Sequence, residues 1–207
     1  MRVTVRWALA GAALALAAVA TAQSRGVLLS EAVAAGKVRC AVHGLGGSSG
    51  DTVRVYVQKT PKAGPAPLVL EIPPGTLLQS DNRTTQAMVV AGVKGRMAGE
   101  TTYSRASRIE LADNAISAYL VEAYCAEFEK ANPTRSTRFR MARPDPTLAC
   151  VLREAASRRL SVRATQAAVW ILTDRVSYGK VRGKFPVSVD EWNAAVEVAK
   201  ACWRSTR

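Results

Sequence analysis

The spacing of hydrophobic and polar positions changes character along the chain. Residues 7–19 are almost continuously apolar, rich in Ala and Leu, with Gly11 as the one interruption. Arg2 and Arg6 precede this run, and Ala20-Thr21-Ala22 follows it, before Gln23. A basic start, a short apolar run and a small-x-small end predict a cleavable export leader over residues 1–22. The run is too short for a comfortable bilayer-spanning helix, and no later stretch is long and apolar enough to be one. Beyond residue 37 the period becomes two. Val38-Arg39-Cys40-Ala41-Val42 and residues 52–58 alternate as half-buried strands do, and a glycine-rich connection, residues 44–50, joins them. Residues 68–72, 76–78, 86–93 and 107–111 read as further strands, and residues 116–128 as the last. Several short strands with Gly and Pro turns between them predict an antiparallel β-sandwich.

After Pro144 the period becomes helical. A helix is expected from Pro146 or Thr147 to about Arg159, with Leu148, Val151, Leu152 and Ala155 on one face. Ser161 can cap a second helix running to about Asp174. Residues 178–186 read as a basic loop. Ser188-Val189-Asp190-Glu191 has the form of a capping box opening a third helix. That helix would place Trp192, Ala195, Val196, Ala199 and Trp203 on one stripe. The predicted architecture is α+β: a β-sandwich over residues 23–144, and a three-helix lobe over 145–207 that needs the sandwich to bury its faces.

Charge and cysteine content refine this picture. The chain has 29 Lys and Arg against 16 Asp and Glu, a formal charge of +13. Loss of Arg2 and Arg6 with the leader would leave +11 on a mature chain of 185 residues. Lys130, Arg135, Arg138, Arg140 and Arg143 follow one another with no acid between Lys130 and Pro144. This is either a solvated basic edge or a contact for an anionic surface, with Arg135, Arg138, Arg140 and Arg143 as its binding residues. Phe139 is the sole aromatic in the run, so no base-stacking platform is evident and no nucleic-acid partner is expected. The partner expected instead is an extracellular protein or surface polymer. The leader places the mature protein outside the cytoplasm, secreted or periplasmic, with no membrane span after cleavage. The heavy Ala, Arg and Val usage resembles that of a high-GC bacterium.

Four cysteines in an exported chain favour disulfides. Cys150 and Cys202 fall in the first and last helices of the helical lobe, each read as lying off its helix's main apolar stripe, and that bridge is the one expected. Cys125 is left either to bridge Cys40, across the first and last strands, or to remain free. Gly46-Gly47-Ser48-Ser49-Gly50 fits G-x-S-x-G by letter, and His43, the only histidine, stands nearby. That elbow needs a strand-to-helix turn, whereas a strand follows here, so a hairpin turn is expected. One histidine and scattered carboxylates give no metal spacing. No cofactor, metal or catalytic turnover is expected.

Two short strings carry the most chemistry: Tyr124-Cys125, and Thr165-Gln166-Ala167-Ala168-Val169-Trp170, which opens a predicted helix. Together with Lys130 and Pro133 they resemble the thioester domains of Gram-positive surface adhesins. Those carry an aromatic-Cys motif followed by a Thr-Gln-x-Ala-Ile-Trp-like motif. The resemblance spans about the C-terminal 90 residues. It implies that the Cys125 sulfur joins the Gln166 side-chain carbonyl with loss of ammonia. Thr165, Trp170 and Tyr124 would then position and shield the bond, and a partner's amine would be captured covalently. Lys130, as a nearby cation, is expected to favour the reactive thiolate. Residues 36–38, the glycine-rich loop, Ile72-Pro73-Pro74-Gly75-Thr76 and Gln86-Ala87-Met88-Val89 are similar to a recurrent exported bacterial β-domain with no established activity. The opposing reading is a disulfide-stapled module that binds an anionic surface reversibly.

Overall fold

The computed structural model describes residues 26–205, so the expected leader lies outside the described residues. In chain order the elements are β1 Val27–Leu28, α1 Leu29–Ala34, β2 Val38–Gly44, β3 Ser49–Lys59, β4 Leu68–Glu71 and β5 Thr76–Ser80. They continue with β6 Met88–Met97, β7 Tyr103–Arg105, β8 Ile109–Leu111, β9 Ser117–Cys125 and β10 Arg138–Pro144. The helices that follow are α2 Pro146–Ser157, α3 Val162–Asp174, α4 Tyr178–Arg182 and α5 Val189–Ser205. The class is α+β, as expected.

The main sheet corrects the expected sandwich. Its strands run β5-β10-β2-β3-β9-β6, and β6 pairs back to β5 through Leu77–Val89 and Leu78–Met88. The six strands thus form a closed barrel, with β7 appended to β6. Alternation along a strand specifies one buried face, and a sandwich and a barrel demand the same alternation. Closure comes from two features the alternation does not reveal. One is β10, whose arginine-rich sequence hid a strand: Phe139 is buried while Arg138 and Arg140 point outward. It pairs with β2 on one side and β5 on the other, so the basic segment is no edge. The other is a set of register shifts, in β3–β9 between Asp51 and Val53 and twice in β6–β9, which coil the strands as bulges do.

Val53, Val55 and Val57 of β3 and Tyr119, Val121 and Ala123 of β9 fill the interior. A three-stranded sheet, β1-β4-β8, adds Leu70, Ile109 and Leu111 to the same core. It is tied to the barrel by the Tyr119 hydroxyl, which donates to the Glu110 carbonyl at 2.7 Å and accepts from its N–H at 3.0 Å. The turn between β4 and β5 needs glycine. Gly75 has φ +89°, and a Cβ there would meet the Asp145 carbonyl at 2.6 Å and the Ala149 methyl at 2.7 Å. The barrel rim therefore seats against the start of α2.

The helices begin where their caps dictate. The Asp145 carboxylate accepts from the N–H groups of Thr147 and Leu148, and Ser161 Oγ accepts from Ala164 N–H. Ser188 and Glu191 form the reciprocal capping box before α5, and Ser161 Oγ also donates to Glu191, which joins the starts of α3 and α5. The expected basic loop contains the short helix α4. The buried stripe of α5 is Ala195, Val198, Ala199 and Cys202, whereas Trp203 is partly exposed. Cys202 therefore lies on the apolar stripe, not off it as expected, because the stripe runs through Val198 and Cys202, one position from Trp203. The Cys150–Cys202 disulfide closes as expected, joining α2 to α5 across 52 residues. Loops of that length confer about 4 kcal/mol in the chain-entropy model. No described helix is long and apolar enough to cross a membrane.

Candidate functional site

Helix α3 is buried on every side from Ala164 to Trp170, because it lies between the barrel and the other helices. A helix in that position is normally all apolar, yet its first buried turn carries Thr165 and Gln166. Gln166 has no exposed surface. A buried carboxamide must find partners or cost several kcal/mol. Gln166 finds them on Cys125: its Oε1 accepts from the Cys125 N–H at 2.9 Å, and its Nε2 donates to the Cys125 carbonyl at 2.8 Å.

This pairing sits where the sheet runs out. Strand β3 accompanies β9 only as far as Ser49 opposite Tyr124. Beyond it the hairpin loop turns away, leaving the Ser48 carbonyl to share the Cys125 N–H at 2.8 Å. The Gln166 side chain thus stands in for one residue of a neighbouring strand. On the other side Cys125 pairs with Met88 of β6.

Tyr124, Cys125, Thr165, Gln166 and Trp170 are all buried, at 5 % exposure or less. The Tyr124 hydroxyl donates to Glu122 at 2.5 Å and lies beside the Thr165 hydroxyl; burial, then the Glu122 carboxylate, pushes its pKa far up. Thr165 Oγ1 donates to the Ser161 carbonyl at 3.0 Å. One turn along α3, Trp170 packs edge-on against Phe128 at 5.0 Å and Phe185 at 5.3 Å. Its indole Nε1 is buried without a hydrogen-bond partner. Over Phe128 lie the ammonium groups of Lys180 and Lys184, both paired with Glu129. Phe128, Phe185 and the two lysines were not anticipated. The signal lay in Phe128, three residues past Cys125, and in the lysines of the 178–186 segment, read only as a basic loop.

The Cys125 thiol is free, and its pKa is pushed up to about 12, first by burial and then by the Glu127 carboxylate. This corrects the expected role of Lys130. Its ammonium pairs with Glu127 at 2.5 Å, while the Glu127 field opposes the thiolate. The Cys40–Cys125 bridge is likewise corrected. Cys40 stands opposite Val57, which stands opposite Ser117, eight residues before Cys125 on β9. That separation is roughly 26 Å along the strand, far beyond disulfide reach. Cys40 is also free, its thiol raised to about 12 by burial.

Arg135, Arg138, Arg140 and Arg143 are exposed. The last three belong to β10, which stands across the barrel from β9, two strands intervening on either side. The structure therefore does not bring the basic residues to the cysteine. Residues 45–48 form the loop of the β2–β3 hairpin, and the strand-to-helix elbow that a G-x-S-x-G nucleophile requires is not built. No cluster of three metal-ligating side chains occurs among the described residues. Compared with known proteins, the chain matches no family model, no curated protein and no solved structure.

Proposed function

We propose that this chain is an extracytoplasmic binding module in which Cys125 and Gln166 condense to an internal thioester that captures an amine-bearing extracellular protein or surface polymer once, without turnover. The observation that carries the reading is the two-point pairing of the Gln166 carboxamide with the Cys125 main chain. It holds the acyl carbon beside the residue that bears the thiol. It also aims the Cys125 N–H at the oxygen on which negative charge would develop, as an oxyanion donor must.

The step balances without a co-reactant. The sulfur adds to Gln166 Cδ, the C–N bond breaks, and ammonia leaves with the thiol proton. Glu127, whose field reaches the thiol, is the candidate base. Capture reverses the activation: a partner amine attacks the same carbon, the C–S bond breaks, the thiol is regained and an amide remains. Burial of both residues, with Tyr124, Thr165 and Trp170 buried beside them along β9 and α3, supports the reading, because a thioester survives only away from water.

Intact-mass analysis of the unreduced protein, before and after methylamine, tests this. The expected result is a deficit of one ammonia, located to a cross-linked peptide pair containing Cys125 and Gln166, with methylamine added at Gln166. A full mass with Gln166 unmodified and Cys125 alkylated as a free thiol after unfolding would overturn it.

A further inference from the structure

We propose that the outer wall of the barrel carries a second site, a cleft that takes a phosphate-bearing sugar and functions whether or not Cys125 and Gln166 are bonded. The cleft holds about 460 Å³. This falls within the roughly 300–1,000 Å³ of small-molecule sites. Strands β2, β3 and β9 form its floor, and the turn between β6 and β7 overhangs it.

Strand register assembles its charge. Arg138, His43, Arg54 and Leu120 lie in one row across β10, β2, β3 and β9. Arg135, from the segment before β10, adds a second guanidinium to the lining. Arg54 is half-buried. Its Nη2 donates to the Glu100 carbonyl at 2.6 Å and its Nη1 to the Tyr56 hydroxyl at 3.2 Å. Its Nε is buried with no partner. Among the described residues the ion pairs all lie elsewhere, and no carboxylate comes within ion-pair distance of Arg54, Arg135 or Arg138. A half-buried guanidinium with neutral hydrogen-bond partners and an orphan N–H is a charge with no direct ion pair, which a ligand anion would supply. Guanidinium forks match phosphate geometry.

The rest of the lining narrows the ligand. Tyr56 and Tyr103 belong to that lining; the Arg54 guanidinium lies over the Tyr56 ring at 6.0 Å, and His43 stands edge-on to Tyr56 at 5.6 Å. Asp51 and Glu100 also line the cleft. These two carboxylates would repel a bare polyanion but accept hydrogen bonds from hydroxyl groups. A sugar phosphate satisfies both walls, with its phosphate on the arginines and its hydroxyls on the acids. The same group occurs free or within a phosphorylated surface polysaccharide. Arg138 and Arg140, exposed along β10, would extend the contact only for the polymer.

Isothermal titration calorimetry of the whole chain decides this, with mannose 6-phosphate, mannose and inorganic phosphate as separate probes. The expected result is saturable one-to-one binding of mannose 6-phosphate, tighter than either fragment alone. Arg135→Gln, at an exposed side chain, should weaken it about tenfold, while Arg153→Gln on α2 leaves it unchanged. Arg54→Gln should weaken it further, and Arg135→Gln keeps the test valid if that variant does not fold. Binding of inorganic phosphate or mannose as tight as that of mannose 6-phosphate would overturn the proposal, as would no binding or an unaffected Arg135→Gln. A phosphomannan then identifies the source. Tighter polymer binding that the pair Arg138→Gln and Arg140→Gln abolishes assigns a surface polysaccharide; equal affinity assigns the free sugar phosphate.

Discussion

The seam between β9 and α3 and the outer wall of β10, β2 and β3 handle polar chemistry in opposite ways. At the seam a carboxamide and a thiol lie out of water, and nearly every polar group has a defined partner. On the wall, arginines stand without a carboxylate in ion-pair contact, although Asp51 and Glu100 line the same cleft, and the one guanidinium that is half-buried keeps an orphan donor. Polarity at the seam is therefore bound up with stability. Polarity on the wall, Arg54 apart, costs the fold little and is available to a ligand. Mutations should separate the two regions by where their effects appear.

The largest effect is expected at Trp170. Trp170→Ala removes the ring on which Phe128 and Phe185 pack, and should lower unfolding free energy by about 3–5 kcal/mol in denaturant titrations. Gln166→Leu keeps the volume but removes the donor to the Cys125 carbonyl and one of two acceptors of its N–H. A cost of about 1–3 kcal/mol is expected by the same measurement, because Ser48 still serves the N–H. A loss below a few tenths would show that the pairing contributes little to the seam.

Alkalinity should act through the two thiols, Cys125 at the seam and Cys40 on the inner side of β2. Cys125 and Cys40 titrate near 12 when folded, against a reference value of 9.0. Between these limits the unfolded chain releases protons that the folded chain retains, so stability falls as pH rises from about 9 toward 12. Cys125→Ala combined with Cys40→Ala should flatten that part of the stability–pH curve. An unchanged curve would mean the thiols are not held neutral, and a thioester at Cys125 would remove that residue's share. Smallest of all, Arg140→Gln should change stability by no more than about 0.5 kcal/mol, as at other exposed sites. A larger loss would make β10's charge structural and undo the contrast.

The two regions were also unequally legible in the sequence. Cys125 and Gln166 stand out because each lies in a short local string, Tyr124-Cys125 and Thr165-Gln166-Ala167-Ala168-Val169-Trp170, and the two together resemble a paired motif. Their contact required only that β9 end where α3 begins its first buried turn. The wall was less legible because its residues are dispersed. Arg54 and His43 meet through strand register, which alternation leaves open. Strand β10 was hidden by four arginines in and beside seven residues, of which Phe139 alone is both large and fully inward. Helix starts were readable at Ser161 and Ser188, where side-chain caps are encoded within four residues. The stripe of α5 is harder to read, because Trp203 draws it away from Val198 and Cys202.

The position of β10 in the ring has a consequence for how this chain reaches its fold. Strands β2 and β5, between which it fits, are complete by residue 80, yet the strand that joins them begins at Arg138. Pairing elements separated by so much chain is slow, because the loop entropy is lost before the contacts form. Until β10 arrives, two strands rich in valine and leucine have unsatisfied edges, and a chain ending before residue 138 would keep them permanently. Such a fragment is a template for edge-to-edge association. The arginines of β10 and its neighbours then serve the intermediate as well as the finished wall, since like charges discourage a second copy from supplying the missing strand.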